Sequence, residues 1–200
     1  MRERFRIGLG AALPAALLLL LGSVEVIAAV LLPAFCHELG HLLALWLLGL
    51  HIRSIRMELR GFCIEYYGSC SAVGHALAAA AGPFAGFAWA WAASAIGQRT
   101  GLEWLSLSAG VSLLLSLFNL LPALPLDGGR IVLALSCAVL GDRRGERVTE
   151  ALSLFVGAAL LGAGVWLMLR QRGVAVLAAA IWLLLYQENG RGLVKRGEMI

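Results

Sequence analysis

The stretch V-L-L-P-A-F-C-H-E-L-G-H-L-L-A-L-W at residues 30–46 decides how this chain is interpreted. It places His37, Glu38 and His41 within an otherwise apolar run. Histidines at positions i and i+4 lie on one face of a helix, one turn apart, so two imidazoles can bind one zinc ion. The intervening glutamate then lies beside the open coordination position, where it can take a proton from water and pass it to a leaving amine. The pattern predicts a catalytic zinc site on this helix.

The composition is that of an integral membrane protein. Hydrophobic residues make up 60% of the 200 residues and charged residues only 14%, whereas soluble domains carry about 25% charged residues. At ~20 residues for each span, this length allows about six spans. We therefore predict an all-α polytopic membrane protein. It would form one membrane-embedded domain, residues 1–200 with a core at 26–140, without a soluble accessory domain. No run of basic residues is dense enough to suggest binding to nucleic acid.

The predicted spans are separated by short polar segments, and two of the intervening regions are unusual. Residues 119–129, N-L-L-P-A-L-P-L-D-G-G, interrupt the fourth span, because two prolines and two glycines cannot continue a helix. Unwound backbone at membrane depth is tolerated where it lines a cavity or is covered by protein. Residues 51–60 alternate between polar and apolar residues, Gly61 breaks the run, and residues 62–67 are rich in β-formers. This pattern predicts a small β-hairpin, whose edge could pair with an extended peptide. The six predicted spans are 7–22, 26–50, 71–97, 103–140 with its interruption, 148–169 and 174–186.

The distribution of basic residues predicts the orientation in the membrane. Outside residues 119–140, twelve Lys and Arg residues lie on one side of the predicted spans and three on the other. Since cytoplasmic loops are enriched in Lys and Arg, both termini, the hairpin and the basic loop at residues 141–147 are predicted to be cytoplasmic, in a bacterial cytoplasmic membrane. The metal would lie about 14 Å below that surface, at 1.5 Å per residue of helix, and water would reach it from the cytoplasm.

A catalytic zinc ion needs a third protein ligand. Asp127 is the best candidate, because it lies in the broken segment of an otherwise apolar span. His51 and His75 lie near span ends, where an interfacial histidine is the more common role. Glu25 is at the far end of the motif helix, about 18 Å from His37 at 1.5 Å per residue. The full set of candidates is Asp127, His51, His75, Glu25, Glu58 and Glu65.

Three segments of the chain together resemble the signatures of the site-2 protease family of intramembrane zinc metalloproteases. They are F-C-H-E-L-G-H-L-L-A, A-G-P-F-A-G and F-N-L-L-P-A-L-P-L-D-G-G-R; they follow the family's order, and the match covers roughly residues 30–140. The resemblance implies that His37, His41 and Asp127 bind one Zn²⁺ and that Glu38 is the general base. It also implies that Asn119 and the loop from Pro122 to Pro125 position the substrate or stabilise the oxyanion.

The resemblance also carries expectations about substrate and partners. It implies hydrolysis of a peptide bond in or near the transmembrane segment of a single-span or membrane-associated protein, with release of a transcription factor as one outcome. A regulatory membrane partner is a further expectation. The chain departs from the family at Gly86, where Asn is common, and these 200 residues are expected to contain neither a PDZ domain nor a nucleotide-sensing domain. This compact form is similar to the branch that activates a sigma-factor precursor during sporulation.

Three other classes of membrane protein could account for part of this pattern. A membrane metal-ion transporter would explain buried His and Asp residues, but not a glutamate fixed between two histidines. A non-proteolytic scaffold that binds a membrane partner would not need an intact ligand set. A zinc protease that trims prenylated tails would draw further Glu and His ligands from other spans, and the chain offers no second set of that kind.

Overall fold

The structure is a computed structural model that describes residues 5–7, 23–58, 61–68, 70–171 and 173–194. The described chain is mostly helical, as the all-α prediction requires, with a small sheet. Its helices are α1 (Val24–Leu47), α2 (Ala72–Thr100), α3 (Glu103–Asn119), α4 (Asp127–Leu140), α5 (Asp142–Leu169) and α6 (Ala175–Val194), and its strands are β1 (Phe5–Ile7), β2 (His51–Glu58) and β3 (Gly61–Tyr67).

Three of the described helices, α1, α2 and α5, are long and apolar enough to cross a membrane. Helices α3 and α4, with 17 and 14 residues, are each shorter than a span of ~20 residues. They flank the segment 120–126, in the place where the sequence predicts one interrupted span. The first predicted span lies almost entirely outside the described residues, so the number of six spans stays a prediction.

Helix α1 ends three residues earlier than the predicted second span. Gly49 adopts a left-handed φ of 70°, which an L side chain rarely adopts. The Leu50 N–H donates to Leu45 O and the Gly49 N–H donates to Trp46 O, as in a Schellman motif. Leu50 then packs against Leu45 in a buried cluster. The chain therefore leaves α1 in the direction that places His51 at the start of β2.

The sheet has the strand order β1-β2-β3. Strands β2 and β3 pair antiparallel, from His51 opposite Tyr67 to Glu58 opposite Gly61. Strand β1 pairs parallel with β2, with Phe5 opposite Ile55. The predicted assignment of Ile7 to the first span is therefore wrong, because Ile7 belongs to a strand. A strand of three residues is too short to show an alternating pattern in the sequence.

Small residues bring α1, α2 and α3 into close contact. Gly40 of α1 lies against Ala81 and Ala85 of α2, and Gly86 of α2 lies against Ser116 of α3. The Ser112 hydroxyl donates a hydrogen bond of 2.7 Å to Gly86 O. Lipid tails are as apolar as the helix surfaces, so the hydrophobic effect does not drive helices together in a membrane. Close packing and such hydrogen bonds drive their association instead. This packing fixes the face of α1 that carries the two histidines.

Helix α4 begins at Asp127, three residues before the predicted restart at Arg130. Gly128 and Gly129 allow the backbone of residues 120–124 to approach closely, because a Cβ on either residue would collide with it. The segment 120–126 can therefore fold back over the first turn of α4. It is also held by α5, since the Leu124 N–H donates to Ser153 Oγ at 2.9 Å. The glycines thus permit a close crossing and do not end a helix.

The predicted basic loop at residues 141–147 is helical from Asp142 onward, and these residues form the first turns of α5. Gly141 has a φ of 79° and separates α4 from α5. An aspartate in the first turn stabilises a helix by its charge. Gly145 lies against the backbone of Cys137 in α4. The turn between the two helices is therefore shorter than the charge pattern suggests.

Candidate metal centre

Two helices bring three buried side chains together. His37 and His41 lie one turn apart on α1, and Asp127 is the first residue of α4. The Nε2 atoms of His37 and His41 are 3.1 and 3.3 Å from Asp127 Oδ2, and 3.2 Å from each other. All three residues are buried, with exposed fractions of 5%, 2% and 4%. Of the described side chains, only these form a cluster that could hold a metal ion.

The dimensions of this triangle fit zinc. Ligand atoms at about 2.0–2.1 Å from a tetrahedral zinc ion lie about 3.3 Å from one another, and the three measured edges are 3.1–3.3 Å. Two imidazoles and one carboxylate form a donor set that catalytic zinc sites use. Zn²⁺ is therefore the metal that this donor set fits, and His37, His41 and Asp127 would hold it.

Outer contacts orient two of the ligands. The His41 Nδ1–H donates to Ala78 O at 2.8 Å. Because a carbonyl can only accept, this bond fixes the tautomer that leaves the Nε2 lone pair for a metal. On the other side, Arg130 Nη1 lies 3.5 Å from Asp127 Oδ1, the oxygen that faces away from the histidines. The backbone of α2 and a side chain of α4 therefore hold the ligands in place.

Arg130 and Ala78 were not identified from the sequence. The spacing of Asp127 and Arg130, three residues apart, places both on one helix face, but only once α4 is known to begin at Asp127. The sequence predicted unwound backbone through Gly129, so this signal was missed. No local pattern identifies Ala78, because its contribution is a backbone carbonyl that packing alone brings to His41.

Gly82 of α2 lies directly against the His41 imidazole, so that an added Cβ would overlap the ring. We expect Gly82→Ala to weaken zinc binding by about 10- to 100-fold, the range for loss of a ligand's supporting contacts, because the methyl group displaces His41 from the triangle. A competition titration with a chromophoric chelator on the purified protein measures this change.

Gly110→Ala is the matched control for this variant, since nothing lies within 4 Å of a Cβ at that helical position. It should bind zinc as the wild type does. An unchanged zinc affinity in Gly82→Ala would show that the ring has room to move, and that the close packing of α1 and α2 does not set the ligand geometry.

The other predicted site residues lie on α1, at the end of α3 and in the segment 120–126. Glu38 is half-buried and interacts electrostatically with both histidines, Asp127 and Arg130. Asn119 is the last residue of α3, and its Nδ2–H donates to Leu115 O at 3.1 Å, which holds the amide against its own helix. Pro122 and Pro125 are half-buried in the segment 120–126. The roles of Asn119 and both prolines in substrate binding stay predictions.

The remaining candidates for the third ligand are not in the cluster. His51 begins β2 and its Nδ1 bonds to Gly49 O, and Glu25 lies in the first turn of α1. The Tyr66 hydroxyl is hydrogen-bonded to His75 Nδ1 at 2.8 Å. Burial raises the pKa of Tyr66 to about 12, so that this hydroxyl stays protonated. The side chains of Glu58 and Glu65 lie outside the described part of the structure.

Three comparisons with known proteins show what this chain is similar to. Residues 98–163 match the family model described as peptidase family M50. The protein named zinc metalloprotease Rip3, from two strains of Mycobacterium tuberculosis, is 34% identical over 169 residues, which cover 73% of this chain and 42% of Rip3. The chain therefore spans less than half the length of this curated relative.

A solved structure shows the same fold. The site-2 protease from Methanocaldococcus jannaschii matches with a TM-score of 0.71 and 19% sequence identity, over 94% of this chain and 92% of that chain. The apolar helices and the relatives together identify an integral membrane protein. The match to peptidase family M50 over residues 98–163, the 34% identical relative, the shared fold and the buried His–His–Asp triangle together support the site-2 protease family of zinc metalloproteases as the family of this chain.

Proposed function

We propose that this chain is an intramembrane zinc metalloendopeptidase that hydrolyses a peptide bond in or near the transmembrane segment of a membrane protein. The observation that carries the proposal is the buried triangle of His37, His41 and Asp127 on apolar helices, with Glu38 beside it. Such groups are costly in a bilayer and are retained where they serve a function.

Each residue has a distinct part in this chemistry. Zinc, when bound, supplies a Lewis acid that lowers the pKa of water to about 7 and polarises a carbonyl. The Glu38 carboxylate accepts a proton from the attacking water and donates it to the amine that leaves. His41 is held in one tautomer by Ala78 O, and Arg130 lies against the outer oxygen of Asp127. Asn119, Pro122 and Pro125 would position the substrate backbone.

The substrate must change its conformation before it can be cut. A transmembrane helix hides its carbonyls in i→i−4 hydrogen bonds, so the segment at the scissile bond has to unwind. The unpaired backbone groups then need partners, which a sheet edge provides. Strand β2 has β1 on one side, opposite Ile55, and β3 on the other. The substrate strand therefore pairs with the outer edge of β3, which no strand of the described ranges covers.

A proline scan along β3 tests this pairing. Proline at positions whose N–H points away from β2 removes a donor from the outer edge and leaves the β2–β3 ladder intact. We expect these variants, identified by unchanged thermal stability and zinc content, to lose at least about tenfold in cleavage of a single-span substrate, the equivalent of one hydrogen bond of roughly 1.5 kcal/mol. Wild-type cleavage by every folded proline variant would rule out β3 as the pairing edge.

The positions of the sheet and of the α4–α5 junction support the proposed orientation. Tyr66 of β3 and Asp142 of α5 line the same cavity, so these two regions lie at one end of the helices. The count of basic residues requires this arrangement, since it puts residues 51–67 and 141–147 on the cytoplasmic side. Release of a transcription factor and control by a membrane partner remain parts of the proposal.

Cleavage of defined substrates tests the function. The purified chain, in detergent with Zn²⁺, should cut at least one member of a panel of single-span proteins near the end of its span. Removal of zinc with a chelator should stop the reaction and added Zn²⁺ should restore it, because the three ligands have no other means of activating water. A chain that binds zinc and cuts no member of a broad panel would favour a scaffold or transporter.

A further inference from the structure

A cavity of about 460 Å³ lies between β3, the beginning of α2, α4 and the beginning of α5. This volume is within the usual range of ligand sites, ~300–1,000 Å³. The cavity borders the metal centre at two points. Arg130 lines it and also contacts Asp127, and Ala79 lines it next to Ala78, whose carbonyl accepts from His41. The cavity therefore continues outward from the metal ligands.

The charged groups of this cavity are separated along its length. Arg130 stands at the inner end, beside the metal ligand Asp127. Asp142 and Glu146 line the cavity from the first two turns of α5, where residues four apart share a helix face. The arginines at positions 143, 144 and 147 on the same turns do not line it. The inner end is thus basic and the outer end acidic.

We propose that this cavity binds the segment of the substrate that flanks its transmembrane helix, and that Asp142 and Glu146 bind a lysine or arginine in that segment. This inference rests on the proposed function and names a substrate feature that the site selects. The cytoplasmic flank of a membrane span is enriched in Lys and Arg, which matches the two carboxylates. The apolar part of the wall, at Leu133 and Ala134, accommodates the stem of such a side chain.

The separation of charge also determines where the substrate is cut. Arg130 repels a basic side chain from the inner end, and the two carboxylates attract it at the outer end. A basic residue held there leaves a fixed length of extended chain between itself and the scissile bond, at up to ~3.3–3.6 Å per residue. Moving this residue by one or two positions should therefore move the cut by the same number or slow the reaction.

Binding and cleavage by two matched peptides test the proposal separately. Both are synthetic single-span peptides, one with two arginines on the cytoplasmic flank and one with two glutamines at those positions. Binding is measured by fluorescence anisotropy on the zinc-loaded Glu38→Gln protein, which does not consume the peptide. We expect about fivefold tighter binding of the arginine peptide, as partly exposed ion pairs allow, and the same preference in kcat/KM of the wild type.

Substitutions of Asp142 and Glu146 test whether the preference for the arginine peptide arises in the cavity. Asp142→Asn combined with Glu146→Gln should bring the binding ratio of the two peptides close to one, and Glu146→Lys should favour a peptide with two glutamates on its flank. Glu25→Gln combined with Glu103→Gln, two exposed carboxylates at the starts of α1 and α3, is the control of equal charge change and should keep the wild-type ratio.

Two results would overturn the inference: equal binding of both peptides by the Glu38→Gln protein, or a preference that persists in the variants of Asp142 and Glu146. Binding without cleavage would bear only on the proposed function. If the wild type cuts neither peptide while the binding preference follows the cavity carboxylates as expected, then the peptidase assignment fails and the cavity still selects basic flanks.

Discussion

Glu38→Gln is expected to lower cleavage by about 10²- to 10⁴-fold, the contribution of a positioned general base, and to leave zinc binding near the wild-type level. The amide has nearly the same shape as the carboxylate but cannot accept a proton at neutral pH. Zinc should be retained because the three side chains that form the cluster, His37, His41 and Asp127, are unchanged in this variant. The two readouts are kcat/KM on a single-span substrate and zinc content of the purified variant.

Glu25→Gln is the control for this prediction, since the same change is made in the exposed first turn of α1, far along the helix from the histidines. It should cut as the wild type does. Cleavage by Glu38→Gln within about tenfold of the wild type would remove Glu38 from the mechanism and favour a transporter or scaffold. Loss of zinc from Glu38→Gln would instead show that the carboxylate maintains the metal site.

The features that follow from short-range patterns are those the sequence identifies well. The spacing of His37 and His41 implies one helix face, because a turn of 3.6 residues fixes it, and both side chains do point toward Asp127. The change from helical to alternating periodicity after Leu50 predicts strands, and β2 begins at His51. In each case the relevant interactions lie within a few residues of one another.

Boundaries were less accurate where tertiary packing overrides local preference. Gly128 and Gly129 have low helix propensity, yet both are helical because the segment 120–126 crosses closely over them. The residues after Gly141 are helical as well, since α5 begins at Asp142 and packs against α4 through Gly145. The packing that outweighs the local helix propensity involves residues that are distant in the sequence.

Contacts between distant segments could not be derived from the sequence. Asp127 was favoured as a ligand by its setting and by family resemblance, but its distance of 3.1 Å from His37 depends on how α4 packs. The carbonyl of Ala78, the space at Gly82 and the cavity next to Arg130 depend in the same way on three-dimensional packing. These features become visible only when the helices are assembled.

Asp127→Ala is expected to reduce zinc affinity by well over 100-fold, since loss of even a supporting contact to a ligand costs about 10- to 100-fold. The change removes one of three protein ligands and leaves two imidazoles, which alone do not form a closed or catalytic zinc site. It also removes the partner of Arg130, whose guanidinium lies 3.5 Å from Asp127 Oδ1. Cleavage should fall in parallel with zinc occupancy.

Two further variants separate the effect of the ligand from that of the buried charge. Asp127→Asn keeps an oxygen in place but loses the negative charge, so its zinc affinity should fall between those of the wild type and Asp127→Ala. Glu103→Ala removes an exposed carboxylate at the start of α3 and should bind zinc normally. Metal analysis of each purified variant, followed by competition titration with a chelator, gives the order of their zinc affinities.

Full zinc content with unchanged affinity in Asp127→Ala would contradict the ligand assignment. The metal would then need a third ligand that the described cluster does not contain. His75 would be the next residue to change, because its Nδ1 is hydrogen-bonded to the Tyr66 hydroxyl and its Nε2 is the nitrogen left to bind a metal. A graded loss from Asp127 through Asn to Ala has the opposite meaning: the carboxylate then both binds the ion and balances its charge within the apolar helices.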